Sequence, residues 1–176
     1  GDDAQIVFSG AASTFNAMVA EADNGIVVKT DVTTHAGAML LDGDSDGTAT
    51  GDGTNTVGFT DMITVQSETV LTLQSSASNI VPAGHLTLRG GTGIVINNDI
   101  TPSTTGKSLI FNADFETAGD GALTIAAGKT VSSGNSITQV TAYDIDLLGY
   151  LTAGTSEIDI HGSKSDQTVG LGAATG

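Results

Sequence analysis

The chain has 176 residues, of which 39% are apolar, enough for one domain with an apolar core. It carries 20 acidic against 5 basic residues, a net charge of −15, and no cysteine. Scarce Lys and Arg exclude nucleic acid and anionic membrane surfaces as expected partners. The lack of cysteine excludes disulfides and thiol chemistry. No apolar run reaches about 18 residues, so no membrane insertion is expected.

Small and β-branched residues dominate the composition, with 24 Gly, 26 Thr and 15 Ser. Short aliphatic runs recur along the chain and are mostly bounded by Gly, Asn, Asp or Ser, a pattern that predicts short strands joined by turns. In chain order the runs begin at Ile26, Met39, Met62, Val70, Leu86, Ile94, Leu109, Leu123, Ile137, Ile145 and Ile158. Residues 11–22 have apolar residues at helical spacing, but the repeat described below favours strands there.

The spacing of the runs predicts how the strands are arranged. The step from Leu86 to Ile94 is short, and the following step from Ile94 to Leu109 is nearly twice as long. Short and long steps mostly alternate, and one of each spans about 22 residues, which fits one rung of a parallel β-helix. We therefore expect an all-β fold, a parallel and right-handed β-helix or solenoid whose two ends are uncapped.

A longer repeat lies over this spacing. The stretch NGIVVKTDVT at 24–33 matches TGIVINNDIT at 92–101. The offset of about 68 residues corresponds to three rungs of about 22 to 23 residues each. The repeat predicts one domain over 1–176, built from three-rung units at 24–91 and 92–159 with partial copies at both ends. A β-sandwich of adhesin type is the main alternative, but it does not explain the offset.

Two segments carry a resemblance to a known family. They are GALTIAAGKTV at 121–131 and DIDLLGYLTAGT at 144–155. Both resemble repeats of very large bacterial surface proteins, the filamentous-haemagglutinin-like β-helix adhesins, and the resemblance covers most of residues 6–172. It implies secretion, a long fibre-like rod and a role in attachment. It implies no catalytic residues.

The expected partners follow from the uncapped ends. Neither GDDA at 1–4 nor LGAATG at 171–176 has the pattern of a cap. Open ends of a β-helix expose unpaired backbone, so we expect them to meet adjoining repeats of a longer chain or identical subunits stacked head to tail. This predicts an extracellular or cell-surface structural fibre. The alternative is an adhesin module that binds surface glycans or cells through residues 42–55.

The sequence DGDSDG at 42–47 is the sharpest local motif. Its alternating carboxylates, with Gly at the sixth position, resemble the first half of an EF-hand calcium loop. The candidate calcium ligands are Asp42, Asp44, Asp46 and Asp52. Gly53 stands where the closing acid of such a loop belongs. The alternative is a solvated, Asp-rich turn with no metal.

No constellation predicts an enzyme. Asp144 and Asp146 have the spacing to share one strand face, and Arg89 is the only arginine. Alternate acids on a Thr-rich strand are usually its solvated side, and the chain has no Trp and two Tyr to line a sugar cleft. The histidines are widely separated: His35, His85 and His161. We expect no catalytic site and no histidine metal site.

Overall fold

The computed structural model describes residues 4–50 and 53–168. Within them the chain is all-β, with 19 strands and no helix. The strands are β1 (Ile6–Phe8), β2 (Ser13–Phe15), β3 (Met18–Glu21), β4 (Ile26–Val28), β5 (Val32–Thr34), β6 (Met39–Asp42), β7 (Val57–Phe59), β8 (Ile63–Ser67), β9 (Val70–Gln74), β10 (Ile80–Pro82), β11 (Leu86–Gly90), β12 (Gly93–Ile96), β13 (Leu109–Asn112), β14 (Ala122–Ile125), β15 (Thr130–Ser132), β16 (Thr138–Ala142), β17 (Asp144–Leu147), β18 (Tyr150–Thr152) and β19 (Ile158–Gly162). Residues 11–22, which have helical spacing, contain β2 and β3.

The chain visits three sheets in turn, and the strand pairings of the described residues are parallel. The first sheet has the order β1-β4-β7-β10 and continues through bridges at Ile100 to the pair β15-β18. The second has the order β2-β5-β8-β11-β13-β16-β19, and the third β3-β6-β9-β12-β14-β17. After each strand of the third sheet the chain returns to the first. This order is compatible with a parallel β-helix.

The register of the first sheet shows that the length of chain between stacked strands varies. Ile26 pairs with Val57, Val57 with Ile80, Ile80 with Ile100, and Ile100 with Val131. The first and last of these four steps take more chain than the two steps between them. Both longer steps contain an extended loop, one after β6 and one after β13. The rung length of about 22 residues stays a prediction from the repeat spacing.

The sequence match between 24–33 and 92–101 does not coincide with this register. It aligns Ile26 with Ile94, but Ile26 lies in the first sheet and Ile94 in the third. Within the first sheet, the pairings lead from Ile26 through Val57 and Ile80 to Ile100. The match therefore relates strands of different sheets. The division into units at 24–91 and 92–159 stays a prediction.

Alternation along the strands creates the core. On β8, Ile63 and Val65 are buried while Thr64 and Gln66 are half-buried, because successive side chains point to opposite faces. The buried side chains of stacked strands form columns that join in one core cluster. A fully buried column of the first sheet contains Ile26, Val57, Ile80, Ile100 and Val131. Each such side chain contributes about 1.5–3 kcal/mol relative to an exposed one.

Buried hydroxyls hydrogen-bond to the backbone where the chain turns from the second sheet into the third. The Thr34 hydroxyl donates to the carbonyl of Gly37 at 2.6 Å, and the Ser67 hydroxyl donates to the carbonyl of Val70 at 2.9 Å. Both side chains are fully buried. A buried carbonyl without a partner is costly, so these hydroxyls let the chain turn inside the core.

Candidate functional site

The two ends of the stacked sheets form the first candidate site. Among the strands of the described residues, β1, β2 and β3 each have one partner, and so do β17, β18 and β19. We call these rows the first edge and the last edge. An unpaired strand edge presents backbone N–H and C=O groups that another chain can pair with.

At the first edge the apolar core opens to solvent. Phe15 pairs with Thr34, which is fully buried, so Phe15 stands in an inward column, yet it is 37% exposed. Ile6, Phe8 and Met18 are only partly buried and pack against the core. The outermost layer of the core therefore lacks a cover on this side within the described residues.

The last edge is similar. Leu147 pairs with the fully buried Ile125, and it is 38% exposed. Leu151 and Ile160 are partly buried against the core. Within residues 4–50 and 53–168, both ends thus combine strands that have one partner each with apolar columns that are incompletely covered.

The second candidate site is the loop between β6 and β7, of which residues 43–50 and 53–56 are described. A glycine closes its base: a Cβ on Gly43 would lie 2.7 Å from the carbonyl atoms of Thr56. A larger residue would push apart the two stems of the loop. We call this segment the acidic loop, since it follows Asp42 and contains Asp44 and Asp46.

Asp42 belongs as much to the third sheet as to the acidic loop. It is nearly buried, and its Oδ1 accepts the backbone N–H of Asp44 at 3.1 Å. Its Oδ2 accepts the Gln74 side-chain amide at 2.6 Å, and Gln74 Oε1 accepts the Asn97 amide at 3.2 Å. These three side chains form a polar ladder across neighbouring strands, so both oxygens of Asp42 are already bonded.

Asp44 is the most buried acid of this loop, with 1% of its surface exposed. Its Oδ1 accepts the Asn55 side-chain amide at 3.2 Å, and its Oδ2 accepts the backbone N–H of Ala77. Burial raises the pKa of Asp44 above its ordinary value of 3.8, and the charges of Asp46 and Asp42 raise it further, against the Ala77 hydrogen bond that lowers it. The charged form of Asp44 is therefore less favoured than that of a fully solvated aspartate.

Asp46 is exposed and forms a local turn. Its two oxygens accept the backbone N–H of Thr48 at 2.9 Å and the Thr48 hydroxyl at 3.1 Å. The remaining predicted ligand, Asp52, lies outside the described residues. Within residues 4–50 and 53–168, no group of three or more His, Cys, Asp or Glu side chains could hold a metal ion. Calcium binding by Asp42, Asp44, Asp46 and Asp52 stays a prediction.

The sequence reasoning missed the contribution of Asn55 to this loop. Asn55 is 4% exposed, has a positive φ of 45°, and donates its side-chain amide to both Asp44 and the carbonyl of Thr48, the latter at 2.6 Å. Asparagine tolerates this backbone region better than most residues. An Asn near the end of a Gly- and Asp-rich loop is the only sequence signal for this position.

A second extended loop, residues 113–121 after β13, buries another carboxylate. Asp114 is fully buried, and its two oxygens accept the backbone N–H of Gly119 at 3.4 and 3.1 Å. Oδ2 also accepts the Ser163 hydroxyl. Gly121 closes the base of this loop, since a Cβ there would lie 1.9 Å from the Ala113 carbonyl oxygen.

The acids considered for catalysis lie apart from the arginine. Asp144 and Asp146 are exposed on β17 of the third sheet, whereas Arg89 lies on β11 of the second and stacks over the Phe115 ring at 4.7 Å. Of the histidines, His161 contacts Asp159 at 2.9 Å. The structure thus does not bring the Asp144–Asp146 pair and Arg89 onto one sheet.

Two adjoining grooves on the outer surface share His85 and Ser108. Their volumes are about 270 and 350 Å³. His85 Nδ1 contacts the Ser108 hydroxyl at 2.7 Å and accepts the Ser108 backbone N–H at 3.0 Å. The exposed apolar side chains of Met62 and Ile137 contribute to the walls. The grooves therefore combine apolar surface with hydroxyl and imidazole groups.

The chain matches no family model, no curated protein and no solved structure. Within residues 4–50 and 53–168 there is no helix with the length and apolar character needed to cross a membrane.

Proposed function

We propose that the chain is a structural β-solenoid that extends end to end. The support for a solenoid is the strand order, in which the chain passes through the first, second and third sheets and then begins again one layer further along. Each set of three strands would be one rung. Where a rung has more than about 22 residues, the extra residues would form a loop outside the stacked strands and would leave the stacking unchanged.

The observation that carries the end-to-end proposal is the state of the two edges. Phe15 at the first edge and Leu147 at the last edge stand in inward columns and are more than one third exposed. A further rung laid on either edge would bury these side chains and pair the free backbone groups. The last edge of one unit and the first edge of the next are different surfaces, so such contacts need not close into a ring and would extend into a filament.

The expected partner is therefore a second copy of the chain or the adjoining repeats of a longer protein. The net charge of −15 opposes sideways association of such rods, while the apolar ends favour lengthwise contact. The resemblance to filamentous-haemagglutinin-like adhesins implies a rod outside the cell, with a role in attachment. No enzymatic step is part of this proposal.

A matched pair of variants tests the stacking. Phe15→Glu places a charge in the inward column at the first edge, and Thr14→Glu places the same charge on the same strand facing outward. Sedimentation velocity over a range of concentrations should show large species for the parent and for Thr14→Glu, and a single small species for Phe15→Glu. Circular dichroism would verify that both variants keep their β-structure. Equal behaviour of the two variants, or a parent chain that stays small, would contradict the proposal.

A second function, binding of surface glycans, is favoured by the grooves at His85 and Ser108. Sugars present apolar ring faces together with hydroxyl groups, and Met62 and Ile137 lie beside the polar pair. This surface differs from residues 42–55, the face that the sequence predicted. A glycan array with the parent chain and His85→Ala tests it: binding lost in the variant supports the function, and no binding by the parent overturns it.

A further inference from the structure

One buried polar atom in the acidic loop has no partner. Asn55 uses its Nδ2 fully, donating to Asp44 Oδ1 at 3.2 Å and to the Thr48 carbonyl at 2.6 Å. Its Oδ1 is buried and accepts no hydrogen bond. Buried acceptors are normally satisfied, and one that is not calls for an explanation such as an ion or a water molecule. Only 4% of the Asn55 surface is exposed, so bulk solvent does not supply the missing partner.

The surroundings of this atom are rich in negative oxygen. The Asn55 amide joins the two acids of the loop: it donates to Asp44 and to the Thr48 carbonyl, and Asp46 accepts the N–H and the hydroxyl of the same Thr48. Carboxylates held close together repel each other unless a proton or a cation lies between them. The unpaired Asn55 oxygen is part of the same amide that bonds to Asp44. An unpaired neutral oxygen and two mutually repelling carboxylates therefore lie in one small region.

We propose that this region is a calcium site formed by the carboxylates of Asp44 and Asp46 and by Oδ1 of Asn55. Calcium takes six to eight oxygen ligands in flexible geometry and accepts carboxylates, amide and backbone carbonyls and water together. The ligand set has two carboxylates and one amide oxygen, so it contains fewer acids than a cluster of three or more carboxylates. It contains no nitrogen or sulfur ligand, which disfavours zinc.

The proposal revises the ligands predicted from the sequence. Asp42 is the last residue of β6, and its Oδ2 is bonded to Gln74 on the neighbouring strand β9, so it is better placed as a support of the loop than as a ligand. Asn55 joins the set because its oxygen is the one that lacks a partner. A cation bound at this oxygen requires neither Nδ2 hydrogen bond of Asn55 to break, so the loop need not refold. The site is independent of the stacking of the sheet edges.

The test is a metal titration of the full chain in metal-free buffer. Calcium chloride should raise the midpoint of thermal unfolding by several degrees, on the order of 5 °C at saturation, and magnesium chloride should do so less. Terbium, which replaces calcium, should bind at a stoichiometry of one and be displaced by calcium. No calcium-dependent shift at millimolar concentrations, together with no terbium binding, would overturn the proposal.

Two exposed acids provide the matched control. Asp46→Asn should weaken calcium binding at least tenfold, whereas Asp146→Asn, which removes the same charge from β17, should leave it unchanged. Because both side chains are exposed, neither substitution endangers folding. Equal weakening by the two variants would mean diffuse counterion attraction, and the site would be refuted. Asn55→Ala provides a third test and should also weaken binding, while the terbium readout reports on the site directly.

Discussion

The two extended loops are built alike, but the groups around their buried carboxylates differ. Each leaves the body after a strand, each is closed by a glycine, and each buries one carboxylate, Asp44 in the first and Asp114 in the second. Asp114 accepts hydrogen bonds from Gly119 and Ser163. Asp44 also accepts two hydrogen bonds, but other carboxylates surround it and an unpaired amide oxygen lies beside it.

The difference shows that a buried acid is not by itself a sign of a metal. In the second loop the Gly119 N–H and the Ser163 hydroxyl both donate to the Asp114 carboxylate. In the first loop burial raises the pKa of Asp44 against the Ala77 hydrogen bond, and the charges of Asp46 and Asp42 raise it further. The second loop also begins beside an unpaired amide oxygen, that of Asn112, so it is the carboxylates near Asp44 that give the first loop a reason to recruit a cation. Three sets of variants sharpen this comparison.

The largest effects are expected at the glycines that close the loops. Gly121→Ala would place a Cβ 1.9 Å from the Ala113 carbonyl oxygen, and Gly43→Ala would place one 2.7 Å from the carbonyl atoms of Thr56. The neighbours in both cases are backbone and cannot move aside easily. We expect a loss of about 3 kcal/mol for Gly121→Ala and about 2 kcal/mol for Gly43→Ala, measured by urea unfolding.

Gly47 is the control for these substitutions. It lies in the acidic loop with open space around it, but its φ is +71°. Gly47→Ala should therefore cost only the backbone strain, about 1 kcal/mol. If all three substitutions cost the same, closure of the loop stems would not be the reason for Gly43 and Gly121.

The next effect concerns the buried acids themselves. Asp114→Ala leaves the Gly119 N–H and the Ser163 hydroxyl without their acceptor and should cost about 2 kcal/mol in calcium and in chelator alike. Asp44→Ala should cost clearly more in calcium than in chelator, since it also removes a ligand. Urea unfolding of both variants and the parent in the two buffers measures this. A calcium dependence shared by both variants would contradict the contrast between the loops.

The smallest effect is expected at Asp61, a carboxylate that has a cation beside it. The Lys107 ammonium contacts Asp61 at 2.7 Å, and the His85 backbone N–H donates to it at 2.7 Å. The Lys107 hydrogen bond first and the His85 N–H second hold the pKa of Asp61 below 3.8. Because the pKa is lower in the folded chain than in the unfolded one, the stabilisation is present above about pH 4 and is lost as the pH falls through the lowered value.

Asp61→Asn removes this pH dependence, so the difference between the parent and the variant measures the contribution of Asp61. The parent should lose stability relative to the variant between about pH 4 and pH 2, by a small amount because the ion pair is exposed to solvent. Urea midpoints of both proteins across this range provide the measurement. Parallel curves would mean that the Lys107 ion pair does not stabilise the fold.

The sequence predicted the strands better than it predicted their stacking. Alternating aliphatic runs marked 11 of the 19 strands of the described residues, including β4 and β12, because alternation is a local property of buried sheets. The eight unmarked strands have only three or four residues each: β1, β2, β3, β5, β7, β10, β15 and β18. The partners in the sheets could not be read in the same way. Strands of all three sheets have the same pattern of aliphatic residues, so Ile26 of the first sheet matched Ile94 of the third. Loops of unequal length then concealed the true register.

The candidate site shows the same division between local and distant information. Asp42, Asp44 and Asp46 could be identified because their spacing is visible in the sequence. The Ala77 N–H that bonds to Asp44 comes from 33 residues away, and the amide of Asn55 from 11 residues away. These contacts depend on how the loop folds back over the next layer of strands, which no local motif encodes.

Electron microscopy of the purified chain, combined with fibre diffraction of aligned material, tests the central claim most directly. A solenoid that stacks end to end predicts unbranched filaments of uniform width whose axial reflection, at about 4.8 Å, runs along the filament. Short separate particles at every concentration, or filaments without that axial spacing, would contradict it.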